Sequence, residues 1–365
     1  MSGGKGTHVC EVIKTLDVGG AEVLLAERLL AAPRTDTRYT VVCLHASTQE
    51  LIGPLRAAGI AVVDLTACPR RWRLARMVAV VRRLRPDVLN LHSPLPASVL
   101  RPVSRLWRRR PALVCTVHNV SYRLPTLLLD RATGWLDART VAVSPQVARA
   151  RTIWRARGLV TRVHGVRVEE QRRHARDRAR TRREWGVAED AFLIGHVANF
   201  RPQKNHRLLL DAAARVLAAE PRALFLLAGS GPLRARTAER VGALGLDRVR
   251  LAGHVPAAGR LVAACDLLVL SSDHEGLPVV VMEALAAGVP VVSTAVGGVP
   301  DLVRHGHNGL LTPPGDAGAL ADAIRQAMRP DVHARLRGGA DDSASLVDIG
   351  RTAVWFERLY DEVRR

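Results

Sequence analysis

Aromatic side chains are scarce, at 4% of the 365 residues, and lysine occurs only three times, at Lys5, Lys14 and Lys204. A basic patch interleaved with aromatics is therefore missing, and no finger-type motif replaces it. That argues against a nucleic-acid-binding protein despite a net charge of +20. The five cysteines are odd in number and form no C-x-x-C pair. A zinc site and a disulfide framework have no support. Cys10, Cys43 and Cys115 sit in short apolar runs and read as buried thiols of a reducing compartment. No Asp-x-Asp pair occurs, so no metal is expected, and no cofactor is called for. The longest uncharged runs, such as Ala284 to Pro300, are broken by Gly and Pro, and none reads as a membrane span. The stretch Met1 to Val9 is Gly-rich and polar, without the apolar centre of a signal peptide. These absences predict a cytoplasmic protein.

What is present is a folded composition, 48% hydrophobic, over a length that suits two domains. The charge is uneven. Residues 1–166 carry 26 Lys and Arg against 10 Asp and Glu, 167–186 carry 8 against 4, and 187–365 carry 20 against 20. A codon bias toward arginine would load both halves alike. The first half is therefore expected to meet something anionic.

Short β-branched-rich runs recur, each followed by a helix-like stretch. In the first half they fall near His8–Ile13, Tyr39–Leu44, Ala61–Leu65, Val88–His92, Ala112–His118 and Thr140–Ser144. In the second half they fall near Phe192–Val197, Ala223–Ala228, Val249–Leu251, Leu267–Ser271 and Pro290–Thr294. The alternation predicts an α/β fold of two doubly wound parallel sheets facing a central cleft. The expected divisions are 1–166, a solvated basic connector over 167–186 with almost no apolar residues, 187–344, and a terminal helix over 345–365. That last helix has Val354, Trp355, Leu359 and Tyr360 at helical spacing, and one apolar face is available to pack back on the first domain. Ligands of such sheets bind beyond the carboxyl ends of the strands.

The string Leu267-Leu-Val-Leu-Ser-Ser-Asp-His-Glu-Gly-Leu-Pro-Val-Val-Val-Met-Glu283 carries the most chemistry. A buried strand gives way to a loop with Gly276, Leu277 and Pro278, and then to a helix. Glycine allows close backbone approach, proline suits the first helical turn, and the N–H groups of that turn favour a phosphate. Glu275 and Glu283 are carboxylates able to accept hydrogen bonds from sugar and ribose hydroxyls. Lys204 is the only lysine after Lys14, which suggests a need for a compact charge on a flexible stem.

The E-x7-E element resembles that of the retaining glycosyltransferases of family 4, which have the two-domain GT-B fold. Seven further segments follow in the family's order. They are Asp17-Val-Gly-Gly-Ala-Glu22, Thr116-Val-His-Asn119, Val141-Ala-Val-Ser-Pro145, Phe200-Arg-Pro-Gln-Lys204, Gly229-Ser-Gly-Pro232, Gly253-His-Val255 and Val296-Gly-Gly-Val-Pro-Asp301. The resemblance implies a metal-independent transfer of a hexose-type sugar from a nucleotide diphosphate donor, UDP- or GDP-type, to an acceptor hydroxyl. The acceptor could be lipid-linked, polysaccharide or a small molecule. Glu275 would bind hydroxyls of the transferred sugar, Glu283 the ribose, and Lys204 the diphosphate. Asn199 stands where the family pattern has an arginine, and Arg201, two positions later, is the candidate for that second charge. Gly229, Gly231, Gly253 and Val255 would contact the nucleotide. Gly19 and Gly20 would offer backbone N–H groups to phosphates or acceptor. His118 would touch the donor sugar or the reacting phosphate, and His92 is an acceptor-side candidate. His164, in a variant of the family's Asn-Gly-Val, is given no catalytic role. In the front-face mechanism so implied, the departing phosphate takes the acceptor's proton and the anomeric configuration is retained.

Two further readings compete. A nucleotide-sugar epimerase or a phosphorylase would use the same architecture, and the E-x7-E and A-V-S segments argue against the epimerase. The stretch Arg70 to Arg85 is basic and amphipathic, with Leu74, Met77, Val78, Val81 and Leu84 on one face, and Arg101 to Arg110 adds Arg105, Arg108, Arg109 and Arg110. It is either a core helix with a solvated face or a surface for anionic headgroups. The second case would place the protein at the inner face of the membrane.

Overall fold

The computed structural model describes residues 6–33, 36–118, 124–150, 153 and 156–364. The chain divides into two compact units, Met1–Gly165 with Ile349–Arg365, and Val166–Asp348. It therefore leaves the first unit once and returns once. Val166 and Asp348 pair as a parallel bridge at the crossing points.

The first unit holds a seven-stranded sheet of β1 (His8–Thr15), β2 (Arg38–His45), β3 (Ala61–Asp64), β4 (Val88–Leu91), β5 (Ala112–Val117), β6 (Arg139–Ala142) and β7 (Leu159–Thr161). The order is β3-β2-β1-β4-β5-β6-β7, with every pair parallel. The second unit holds a six-stranded sheet of β8 (Phe192–Val197), β9 (Ala223–Ala228), β10 (Val249–Gly253), β11 (Leu267–Leu270), β12 (Val291–Thr294) and β13 (Gly309–Thr312). Its order is β10-β9-β8-β11-β12-β13, again all parallel. Both are doubly wound, and each reverses direction at one switch point, between β1 and β4 and between β8 and β11. The strands β8, β9, β11 and β12 read as near-continuous apolar runs because helices cover both faces. The edge strands β7 and β13 were not expected. They are Leu159–Thr161 and Gly309–Thr312, additional to the eleven runs read in the sequence.

The helix Arg73–Leu84 buries Met77 and Val81 completely and packs Leu74, Val78 and Leu84 against the first core. Its apolar face is thus spent inside the domain, and Arg76, Arg82 and Arg83 point outward. Arg101 is not part of that basic surface. It is 2% exposed and held by Asp130 at 2.6 Å and Asp137 at 2.7 Å.

Residues 167–186 are not a solvated connector. They form the helices Val168–Arg176 and Arg178–Glu184. Periodicity did not reveal the second of them because ion pairs fasten it to the domain. Arg178 and Arg182 grip Asp266 at 2.5 and 2.9 Å, and Arg182 is 8% exposed. The last helix, Ile349–Arg364, lies in the first unit, where Phe356, Leu359 and Tyr360 join the core beside β1, β4 and β5.

Candidate active site

In the second unit the loops that follow β8 and β11 lie at the switch point. The first runs into a short turn, Pro202–Lys204, and the helix His206–Ala219. The second runs into the helix Val279–Ala286. Lys204 Nζ meets Glu275 Oε1 at 2.7 Å, and Ser272 Oγ donates to the same oxygen at 2.6 Å. The two loops are fastened by their backbones as well. Ser271 Oγ donates to the Lys204 carbonyl at 2.9 Å, the Asp273 N–H donates to the Gln203 carbonyl at 2.8 Å, and Asn205 Nδ2 donates to Asp273 at 2.9 Å. The Glu275 side chain is 7% exposed and that of Lys204 18%. An ion pair this sheltered is far less screened than a surface one.

Glycines set the position of Glu275. Gly297, at φ +62°, passes so close that an added Cβ would stand 2.0 Å from the Glu275 carbonyl oxygen. The Gly298 N–H donates to the Gly276 carbonyl at 2.7 Å. Leu277 is buried at 7% exposure, and Pro278 occupies the N-cap of the helix Val279–Ala286. No side chain among the described residues caps that first turn, whose Val281 N–H is taken by the Pro278 carbonyl at 3.1 Å, and its dipole favours an anion there. Glu283 stands partly exposed in the second turn. Arg201 and Asn199 are both exposed and flank Phe200, which is fully buried and stacked on His206 at 4.2 Å.

Gly229, Gly231 and Gly253 follow β9 and end β10. Gly229 and Gly231 press on Ala198 and Phe200, so a Cβ at Gly229 would lie 2.0 Å from the Ala198 carbonyl oxygen. The Gly229 N–H donates to the Gly253 carbonyl at 2.7 Å. Val255 is partly exposed just beyond. The second unit therefore gathers the predicted donor residues on loops at one end of one sheet.

In the first unit, Gly19 caps and Gly20 opens the helix Gly20–Leu30, directly after β1. A Cβ at Gly20 would meet nothing within 4 Å, whereas one at Gly19 would meet Glu22 Oε2 at 2.6 Å. The predicted phosphate or acceptor loop thus has a carboxylate beside it. His118 follows β5 and is 6% exposed, while Asn119 of the same motif lies outside the described residues. Ser144, in the Val141–Pro145 segment, accepts a hydrogen bond from the Val147 N–H at 3.2 Å and caps the helix Pro145–Ala148.

His92 is not placed as an acceptor-side residue. Its side chain is 0% exposed and both ring nitrogens are engaged, Nε2 with Glu11 Oε2 at 2.7 Å and Nδ1 with His118 Nε2 at 3.0 Å. No atom remains for an acceptor substrate. Glu11 lies in the middle of β1. Burial works against its charge, but Arg28 at 2.6 Å and His92 outweigh it and bring its pKa down to about 2. Burial, followed by the charges of neighbouring groups, holds His118 well below the ordinary histidine value. Burial takes His164 to about 3. Among the described residues, no three His, Cys, Asp or Glu side chains are grouped to hold a metal ion.

Residues 18–151 match the description Glycosyltransferase Family 4, and residues 177–337 match Glycosyl transferases group 1. The D-inositol 3-phosphate glycosyltransferase of Geodermatophilus obscurus is 30% identical over 356 residues, covering 90% of this chain and 78% of that protein. The 2-deoxystreptamine N-acetyl-D-glucosaminyltransferase of Streptomyces fradiae is 33% identical over 355 residues, covering 87% and 80%. The chain belongs to glycosyltransferase family 4. The crystal structure of Anabaena HepE with UDP and glucose superposes with a TM-score of 0.84 at 23% identity over 97% of this chain and 99% of that one. The architecture is GT-B, and the protein is a glycosyltransferase.

Sequence reasoning passed over three groups of this transferase. Ser272 is polar in a polar loop and gives no signal. Glu11 and Arg28 did carry one, since a charged residue inside an apolar strand and another in an apolar helix face are out of place unless they pair.

Proposed function

We propose that this glycosyltransferase moves a hexose-type sugar from a nucleotide diphosphate donor to an acceptor hydroxyl with retention of anomeric configuration. The observation that carries the reading is the sheltered Lys204–Glu275 pair at the switch point of the second sheet, beside an uncapped helix N-terminus. Lys204, Arg201 and the N–H groups of the turn after Pro278 stabilise the departing diphosphate without a metal. Glu275 accepts hydrogen bonds from hydroxyls of the transferred sugar, and Glu283 from the ribose. The bond between the anomeric carbon and the phosphate oxygen breaks, the acceptor oxygen bonds to that carbon on the same face, and its proton passes to the phosphate. His118 contacts a substrate hydroxyl from the first domain.

UDP is the favoured nucleotide, because solved HepE complexes contain UDP and UDP-glucose. The names of the two relatives point to small ring polyols as acceptors, one of them phosphorylated. An anionic acceptor of that size suits the excess of arginine in residues 1–166.

Thermal shift against UDP-, GDP-, ADP- and dTDP-sugars, followed by NMR of the product, tests this reading. Stabilisation by UDP-sugars, turnover that survives EDTA and a product of the donor's anomeric configuration are expected. An inverted product or full loss of activity on chelation would overturn it.

A second reading adds a peripheral place at an anionic membrane. It rests on the outward arginines of the helix Arg73–Leu84 and on Trp72, which is 57% exposed at its start. Co-sedimentation with anionic but not neutral vesicles at low salt is expected. Equal partition into both would sink it.

A further inference from the structure

The first domain buries a polar chain. Glu11 Oε1 receives hydrogen bonds from Arg28 Nη2 at 2.6 Å and from Tyr360 OH at 2.9 Å. Glu11 Oε2 faces His92 Nε2 at 2.7 Å, and His92 Nδ1 faces His118 Nε2 at 3.0 Å. The chain stops there. His118 Nδ1 is buried and has no hydrogen-bond partner among the described residues.

The direction of every bond follows from its first member. An ionised carboxylate only accepts, so His92 must donate through Nε2. Arg28 already balances the charge of Glu11, and a second cation in so dry a place would be costly, which keeps His92 and His118 neutral. A neutral imidazole with its proton on Nε2 has a bare lone pair at Nδ1. His118 must therefore donate through Nε2 to His92, and its own Nδ1 is bare in turn. Burial depresses the proton affinity of both rings, in agreement.

We infer that Glu11 and His92 are positioning residues that fix His118 as a neutral imidazole whose Nδ1 only accepts a hydrogen bond, and that its ligand is a hydroxyl group. An unprotonated phosphate or carboxylate oxygen has no hydrogen to offer that atom. His118 therefore reads a sugar or acceptor hydroxyl and does not grip the leaving diphosphate. His164, whose ring centroid is 5.8 Å from that of His118, stands outside this chain and takes the opposite tautomer. Its Nδ1 reaches only the Arg162 carbonyl at 3.2 Å and so carries the proton, while its buried Nε2 has no partner among the described residues.

The inference deepens the proposal that His118 touches substrate, and the two can fail separately. The test is 15N NMR of the full chain with labelled histidine, His92 and His118 being assigned by the loss of signals in H92Q and H118Q. The wild-type spectrum should show both as neutral Nε2–H tautomers at pH 7.5. In Glu11→Gln the amide N–H2 group turned toward His92 should reverse the chain and move the His118 proton to Nδ1. Turnover should then fall by on the order of 10²-fold, and Glu11→Asp should recover part of it with the wild-type tautomer. An Nδ1–H tautomer of His118 in the wild type overturns the inference, and so does an unchanged tautomer in a folded Glu11→Gln. If Glu11→Gln does not fold, the wild-type spectrum alone decides. Unimpaired turnover in His118→Ala would instead remove the substrate contact while leaving the tautomer result standing.

Discussion

Gly297→Ala would show whether the placement of Glu275 governs turnover. Gly297 has φ +62°, where an alanine costs about 1–2 kcal/mol. The new Cβ would lie 2.0 Å from the Glu275 carbonyl oxygen and 3.0 Å from the Glu275 Cβ. To restore an ordinary contact the Glu275 segment must retreat by about 1 Å, a misplacement worth on the order of 10²-fold in rate when the displaced group is a catalytic one. Gly315→Ala is the matched control. It has φ +79°, and its Cβ would meet nothing within 4 Å, so it carries the backbone cost without the clash. Initial rates of sugar transfer and thermal unfolding would be measured for both. Gly315→Ala should lower the unfolding temperature by roughly 2–8 °C and leave turnover unchanged. Gly297→Ala should lower it at least as far and also lose about 100-fold in kcat. Wild-type kcat in Gly297→Ala, or an equal loss in Gly315→Ala, would refute the argument that the glycine matters through Glu275.

The other perturbations act on single charges. Lys204→Ala removes the cation opposite Glu275 and should cut kcat by on the order of 10²–10³-fold, as measured by release of the nucleotide diphosphate. Glu283→Ala should instead raise the KM for the donor with a smaller change in kcat, and the opposite split would displace it from the ribose. Arg201→Ala should weaken binding of the free nucleotide diphosphate by calorimetry. Asn199→Arg in that background should restore it, because the Arg201 N–H bonds to the Asn199 carbonyl at 2.8 Å in a tight turn that brings the two positions together. Burial lowers the pKa of His164 to about 3, of His196 to about 3 and of His206 to about 4. Each takes up a proton in the unfolded chain below about pH 6.5 but stays neutral in the folded one, so the stability held above that pH is lost on acidification. The loss is about 1.4 kcal/mol per pH unit per histidine. Calorimetry should show Tm falling steadily from pH 7 to pH 5, and a flat or rising Tm would contradict the burial of these rings.

The second domain was the more legible. Its site is built from turns, and turns carry residue types that mean something by themselves: Gly297 and Gly298 behind Glu275, Pro278 at a helix start, a lone lysine at 204. Parallel strands buried on both faces print themselves as apolar runs, so β8, β9, β11 and β12 could be read nearly to the residue. Two of the errors share a cause. The helix Arg178–Glu184 and the pairing of His92 with Glu11 depend on charged groups meeting partners far away in sequence. Arg182 and Asp266 are 84 positions apart, and Glu11 and His92 are 81 apart. Composition marks such residues as solvated, and only the fold brings their partners to them.

That distinction bears on why the first domain keeps its buried charges. A buried Arg–Glu pair is weak ground for stability, since an apolar pair of similar volume is often neutral or stabilising by about 1–4 kcal/mol. Glu11 and Arg28 have relative exposures of 0% and 1%, and the Arg28 guanidinium lies 4.3 Å over the Phe356 ring. The last helix adds to the same network. Tyr360 donates to Glu11 and accepts from Asn90 Nδ2 at 2.8 Å, and Asn90 Oδ1 accepts from Thr116 Oγ1 at 3.0 Å. The network thus ties β1, β4 and β5 to a helix from the far end of the chain, directly behind His118. An apolar core could hold those elements together equally well. It could not make a carboxylate dictate which nitrogen of a second ring carries the proton, and that is the one property here that packing cannot supply. The orientation of His118 is therefore the better account of the buried charge.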